Sequence, residues 1–335
     1  MSKRVMACVV PCLMLGLCAF GQEGAGKKKA GGTNLADFPD NPQSVAHKDT
    51  AKKMAGADPV LNRVYTFFCT VNDINTPGQD LEGMKIFDNL YALESSPFQQ
   101  TTVYAITTPD GIIMIDSGEQ GRLQKVLDGF QKLGLDPSKV KYILLGHGHG
   151  DHYANAAYFQ EKYGTKVGTT AADWDLMFPP DKPLKQNDAR PHRDLVMKEG
   201  QDITLGGEAV HIIEIPGHTP GSVAFIFNVK EGNATHTAGM YAGTILGQAR
   251  ITTEGLNQYI HSVDHYLEAA KKWNVDVELQ NHALFDETPA RMERLKARKP
   301  GEPNPFIMPI AKYTNFWGIV SECIRAEIAR RPAGN

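Results

Sequence analysis

Three histidines and one aspartate fall within six residues, His147-Gly148-His149-Gly150-Asp151-His152. His147 and His149 are two residues apart, so in extended chain both imidazoles project to one side. Asp151 and His152 are adjacent and diverge, which lets them serve a second centre beside the first. Imidazole nitrogen and carboxylate oxygen are the ligands zinc prefers, at about 2.0–2.2 Å. Gly148 and Gly150 are the spacers expected of a chain that folds tightly around an ion. A further imidazole, His218, stands in the turn Pro216-Gly217-His218-Thr219-Pro220-Gly221-Ser222, where prolines and glycines bracket a rigid strand end.

The first cluster resembles His-x-His-x-Asp-His, the signature of the metallo-β-lactamase superfamily of zinc hydrolases. The likeness runs in the expected order from about Lys85 to the C-terminus. Gly217-His218-Thr219-Pro220-Gly221 resembles the turn whose histidine completes the first zinc site. Asp116-Ser117-Gly118 resembles the strand end whose aspartate steadies the ligands without binding metal; a plain turn aspartate is the alternative. Asn281-His282 resembles the strand end that carries the last metal histidine. Where many of these hydrolases place a bridging aspartate in Gly-Asp-Thr-Leu, this chain reads Ala242-Gly243-Thr244-Ile245-Leu246, with no carboxylate.

The resemblance therefore implies two Zn2+ per chain, one held by His147, His149 and His218, the other by Asp151, His152 and His282. That set is most similar to the β-lactamase subclass whose second zinc has Asp-His-His ligands. It implies a metal-bound hydroxide as nucleophile, available near neutral pH because zinc lowers the pKa of water from ~15.7 to ~7, with Asp151 as the catalytic residue that orients it. Thr244 and Tyr153 are the residues this likeness sets near the substrate. The expected activity is hydrolysis of a cyclic amide, β-lactamase-like. Alternatives within the superfamily are a lactone or ester hydrolase and a hydrolytic dehalogenase, and a different class is a non-catalytic zinc- or ligand-binding protein. No Gly-x-Ser-x-Gly elbow competes for a covalent serine route.

The elements that must position these groups are legible in outline. Val140 to Leu144 is rich in strand formers and leads into the cluster, and Ala154 to Tyr163 has helical spacing. Val64 to Thr70, Lys85 to Leu93, Thr102 to Thr107 and Gly111 to Ile115 read as strands, the last two joined by Pro109-Asp110-Gly111. Leu123, Val126, Leu127, Phe130 and Leu133 give Arg122 to Leu133 the pattern of a helix lying on a sheet. Asp202 to Leu205, Ala209 to Ile215, Val223 to Val229, His236 to Ala242 and Val275 to Gln280 read as a second set of strands. Gln258 to Trp273 and Met308 to Arg331 read as helices. Asp173 to Arg193 reads as a polar connection and a rim over the site, with Trp174 and His192 as surface residues. His261 and His265 share one helix face, but no third ligand neighbours them, so they read as helix surface or core. His47, His211 and His236 have no motif around them. With the resemblance, this order implies an α/β fold, an αββα sandwich of two mixed sheets face to face with helices outside.

Residues 1–21 read as a signal peptide, Lys3 and Arg4 before an apolar run too short to span a bilayer, with cleavage after Gly21. Cys18 offers a lipoprotein alternative, against which Leu17 is bulky. Residues 22–62 read as a flexible arm and 63–335 as the catalytic domain with a helical tail. The expected location is the periplasm or outside the cell. There Cys69 and Cys323, the two cysteines left after cleavage, either form one disulfide or remain buried thiols. Removing two of 35 basic residues against 38 acidic ones leaves 33 minus 38, or −5, which argues against a nucleic-acid partner. The expected partner is a small molecule, and no second apolar run suggests a membrane span.

Overall fold

In the computed structural model, the described residues are 38–332 apart from 72–77, 181–188, 245–246, 249–250 and 285. The expected signal peptide and the expected arm up to residue 37 lie outside them. The chain begins with helices α1 (Pro42–Ala55) and α2 (Pro59–Tyr65) and a π-helical turn, Thr66–Val71. Strands β1 (Leu81–Phe87), β2 (Leu90–Ser95), β3 (Thr102–Thr108) and β4 (Gly111–Ile115) follow as an antiparallel meander. Helix α3 (Leu123–Lys132) then crosses to β5 (Val140–Leu144), and α4 (Gly150–Tyr153) and α5 (Ala156–Tyr163) lead to β6 (Lys166–Thr170). Helix α6 (Ala171–Met177) precedes β7 (Leu195–Met197), and β4 to β7 run parallel. These seven strands form one sheet in sequence order.

The second sheet has five strands. They are β8 (Asp202–Leu205), β9 (Glu208–Glu214), β10 (Val223–Glu231), β11 (Ala234–Tyr241) and β12 (Val277–Leu279). Pairing is antiparallel except between β11 and β12, which the 20-residue α7 (Thr253–Lys272) connects in parallel. Helices α8 (Thr288–Ala297) and α9 (Ile310–Arg330) close the chain.

Three cores follow from this layering. Tyr104, Ile106, Ile113, Ile115 and Leu144 of the first sheet pack with Phe225, Phe227, Val229, Met240 and Leu279 of the second. Outside the first sheet, Val126, Phe130, Phe159 and Trp174 cover Val103, Met114 and Ile143. Outside the second, α1, α2, α7 and α9 cover Ile213, Ala224 and Ile226. The αββα sandwich expected from sequence is the observed fold.

Four local readings are corrected. Val64 to Thr70 is not a strand: Val60, Leu61, Val64, Phe67 and Phe68 recur at helical spacing and are buried against α9, so packing overrides the β propensity of the aromatic run. Lys85 to Leu93 is a hairpin turning at Asp88-Asn89 rather than one strand. From Pro42 onward the expected flexible arm is helix. Asn41 caps α1 with a reciprocal Ser44 bond and donates to Ala329 O at 2.7 Å, while Ala51 and Ala55 are buried in the core that α9 shares. Small residues give little hydrophobic signal, yet they let two helices approach, and a Cβ at Gly318 would lie 3.0 Å from Met54 Sδ. The polar connection starting at Asp173 opens as α6, with Trp174 fully buried and its Nε1 donating to Leu195 O at 2.7 Å; His192 is exposed as expected.

Cys69 of the π-helical turn and Cys323 of α9 form a disulfide, their Cα atoms 4.8 Å apart. His261 and His265 lie on the exposed face of α7, and His265 pairs with Glu199. His47, His211 and His236 pair with Glu322, Asp202 and Asp276.

Candidate metal centre

All six sequence-predicted ligands converge where the ends of β5 and β12 meet the turn between β9 and β10. His218 Nε2 lies 3.0 Å from His147 Nε2 and 3.0 Å from His149 Nδ1. Beside that triad, His152 Nε2 is 3.1 Å from His282 Nε2, and Asp151 Oδ2 is 3.2 Å from the former and 3.6 Å from the latter. His147 belongs to both neighbourhoods, its ring centroid 3.9 Å from that of His152.

Hydrogen bonds at the far ring nitrogens fix which nitrogen keeps its proton. His147 Nδ1 donates to Ala242 O at 2.7 Å and His282 Nδ1 to Gln99 O at 2.8 Å, acceptors that cannot donate in return. His152 Nδ1 donates to Asp116 Oδ2 at 2.7 Å. The Nε2 atoms of His147 and His282 therefore present lone pairs toward the centre of the cluster. Nitrogens 2.0–2.1 Å from a tetrahedral ion lie roughly 3.3 Å apart, close to the spacing here. The donor set fits zinc.

Electrostatics agree with that fit. Burial, reinforced by neighbouring rings, holds His147 well below the usual histidine range and lowers His149. The same causes bring His218 to about 3 and His282 to about 4, so these rings present lone pairs at neutral pH. Burial disfavours a charge on His152, but Asp151 and Asp116 overcome it and raise the ring to about 10. Burial also works against the Asp151 carboxylate, and His152, by charge and hydrogen bond, with His282, holds it far below the usual carboxylate range. This corner of the protein demands positive charge.

Asp116, expected from the resemblance to steady the site, bonds to one predicted ligand, His152. Its backbone φ of 60° is uncommon for a residue with a side chain. It is held there by Gly146 N donating to Oδ1 at 2.8 Å and by His152 and Asn281 donating to Oδ2. Thr101 Oγ1 donates to Asp151 Oδ2 at 3.0 Å.

Asp173 went unrecognised in the sequence. It lies in the first turn of α6, its Oδ2 accepting from Gly148 N and Thr219 Oγ1, each at 2.7 Å, and its Oδ1 from Gly221 N at 2.8 Å. Burial raises its carboxyl despite those bonds. The spacing Thr170-x-x-Asp173 marks a helix start, a signal visible in sequence that says nothing of the carboxylate's second task. Gly148 and Gly221 are glycines because α6 approaches them: added Cβ atoms would lie 2.9 Å from Asp173 O and 2.0 Å from Thr170 Oγ1. The reading of Gly148 as a spacer around an ion is thus corrected.

Thr244, expected near the substrate, is fully buried, and its hydroxyl bonds to Tyr241 O and Gln280 Oε1, each at 2.6 Å. Tyr153 is half-buried and packs on the core beneath α5 and α6, so the structure gives its ring a packing place. Gly243 takes the place of a bridging carboxylate, and a Cβ there would already lie 3.1 Å from His218 Cβ and from Ser222 Oγ.

Residues 96–231 match the family model of the metallo-beta-lactamase superfamily, a span holding Asp116 and every predicted ligand except His282. The chain is 25% identical to BJP-1, a subclass B3 metallo-beta-lactamase of Bradyrhizobium japonicum, covering 73% of this chain and 92% of that one at a TM-score of 0.57. FEZ-1 of Legionella gormanii is similar in fold, with a TM-score of 0.58 and 21% identity over 72% of this chain and 92% of that one. Among curated proteins, the hydroxyacylglutathione hydrolase of Acidiphilium cryptum is 35% identical over 89 residues, 27% of this chain. That match takes in 31% of the relative's length, so the chain spans about a third of it. Among the described residues no helix is long and apolar enough to cross a membrane.

Proposed function

We propose that this chain is an exported zinc-dependent hydrolase that opens a cyclic amide of the β-lactam type. The observation that carries this reading is the second triad, Asp151, His152 and His282, beside Gly243: a metal pair here has no bridging carboxylate from β11. Zinc bound to these residues would supply a Lewis acid and bring the pKa of water from ~15.7 to ~7. His147, His149 and His218 would bind one ion and Asp151, His152 and His282 the other. Asp151, held by Thr101, would orient an attacking water toward the carbonyl carbon. The nitrogen released on cleavage takes its proton from solvent.

A thioester or ester hydrolase is the second reading, favoured by the likeness to hydroxyacylglutathione hydrolases. Purified zinc-loaded protein should be offered a cephalosporin, a penicillin, a carbapenem, a lactone, an acylglutathione thioester and an activated chloroaromatic. Chelator-sensitive β-lactam cleavage is the expected result. Turnover of the thioester or lactone with silence on every β-lactam would move the function to that substrate, and no turnover at all would favour a zinc-holding protein. Export is tested separately: mature protein from the periplasm should begin at Gln22, and an intact N-terminus would end that part of the proposal.

A further inference from the structure

The His147–His149–His218 triad joins two loops whose histidines are 69 to 71 residues apart, and a side chain outside both loops bonds to each. We propose that Asp173 is the positioning residue that sets the zinc affinity of this triad. Its Oδ2 takes the amide proton of Gly148, between two of the ligands, and the hydroxyl proton of Thr219, next to the third. Its Oδ1 takes the amide proton of Gly221, whose carbonyl in turn accepts from Thr170 Oγ1 at 2.8 Å. The helix start thus grips one loop by both backbone groups of a single residue and ties the other to it through one carboxylate. Asp173 is fully buried, so water cannot readily replace the lost acceptor. The ligands of this triad are neutral rings with no carboxylate among them, so their hold on an ion depends on how well they are pre-placed. The second triad has Asp151 and the Asp116 brace, and none of the hydrogen bonds of Asp173 reaches its ligands.

The inference rests on the zinc reading above but not on any substrate. Its test is metal titration, with zinc against a chromophoric chelator and with Co2+ followed by its absorption, on wild-type protein, Asp173→Asn and Thr219→Val. Asparagine keeps the shape but turns a donor toward a backbone N–H. Asp173→Asn should weaken one of two metal sites about 10–100-fold and leave the other within threefold of wild type. Thr219→Val, which removes one of the three bonds to the Asp173 carboxylate together with the contact to Ser222 Oγ, should move the same site by less. If Asp173→Asn fails to fold, as a thermal melt would reveal, Thr219→Val decides alone. Two unchanged sites, or equal weakening of both, would overturn the proposal. A wild-type protein that binds no zinc would instead overturn the reading beneath it.

Discussion

Two buried charge clusters flank the end of β12, and they solve the same problem differently. In one, the carboxylates of Glu278 and Asp286 face Arg291, all three fully buried, with Arg291 Nη1 bonded to Glu278 Oε2 and, at 3.1 Å, to Asp286 Oδ2. In the other, four residues on, Asp151 and Asp116 stand among histidines and no Lys or Arg is paired with either among the described residues. Taking a carboxylate out of water is costly unless it is paired. The first cluster supplies its cation from α8 and is complete in itself; the second faces its two carboxylates with histidine rings, a donor set that fits a metal cation. Cluster chemistry alone would not separate them, since both are acidic and buried. What separates them is the partner the fold delivers.

Breaking each cluster at its centre should have the largest effects and of different kinds. Asp151→Ala should reduce hydrolysis to background and remove one of two zinc equivalents, while the thermal midpoint with chelator present stays near wild type; undiminished turnover would sink the metal assignment. Arg291→Leu should instead cost about 3–5 kcal/mol of stability by stranding two buried carboxylates, seen in denaturant unfolding. Destabilisation under 1 kcal/mol would show that the cluster does not depend on its arginine.

A smaller effect sharpens the contrast. Asp116→Asn retains the shape of the His152 brace and removes its charge, so activity or metal affinity should fall about 10–100-fold with the fold intact. Metal analysis and a melt separate those outcomes. Asp116→Asn with wild-type metal binding and rate would reduce Asp116 to the turn residue that the sequence also allowed.

The smallest expected effect is a pH dependence. Burial raises Glu278 from 4.5 to about 7, although the charge of Arg291 pulls the other way. A group raised on folding holds a proton in the native state that it gives up when unfolded, so it stabilises fully below pH 4.5 and loses that contribution as pH rises through about 7. The stability of wild type relative to Glu278→Gln should therefore decline between those values. A difference that is flat with pH would mean that Glu278 stays ionised beside Arg291.

The ligands were legible because the chemistry is local: four of six fall within six residues, and the other two end strands in Pro/Gly-framed or Asn-His contexts. The strands of both sheets were legible for a similar reason, since alternation and β-branched runs report burial directly. Val64 to Thr70 misled because its aromatic residues satisfy both periods over so short a run, and only α9 selects the helical one. Helix α1 was hidden because Ala51 and Ala55 bury by closeness rather than by hydrophobicity. Thr244 kept its apparent freedom until Gln280 was seen beside it.

The sequence by itself determined the zinc-type donor set, which rests on residue type and short spacing, and through the resemblance those residues carry it implied the division between two triads, the missing bridging carboxylate and the layered fold. Only tertiary structure decided the rest. Asp173 joins His147's loop to His218's, Cys69 meets Cys323 across 254 residues, and Arg291 rather than a metal answers Glu278. Each is a contact between segments whose sequence carries no mark of the other, and it exists only once the sheets have stacked and the helices have closed over them.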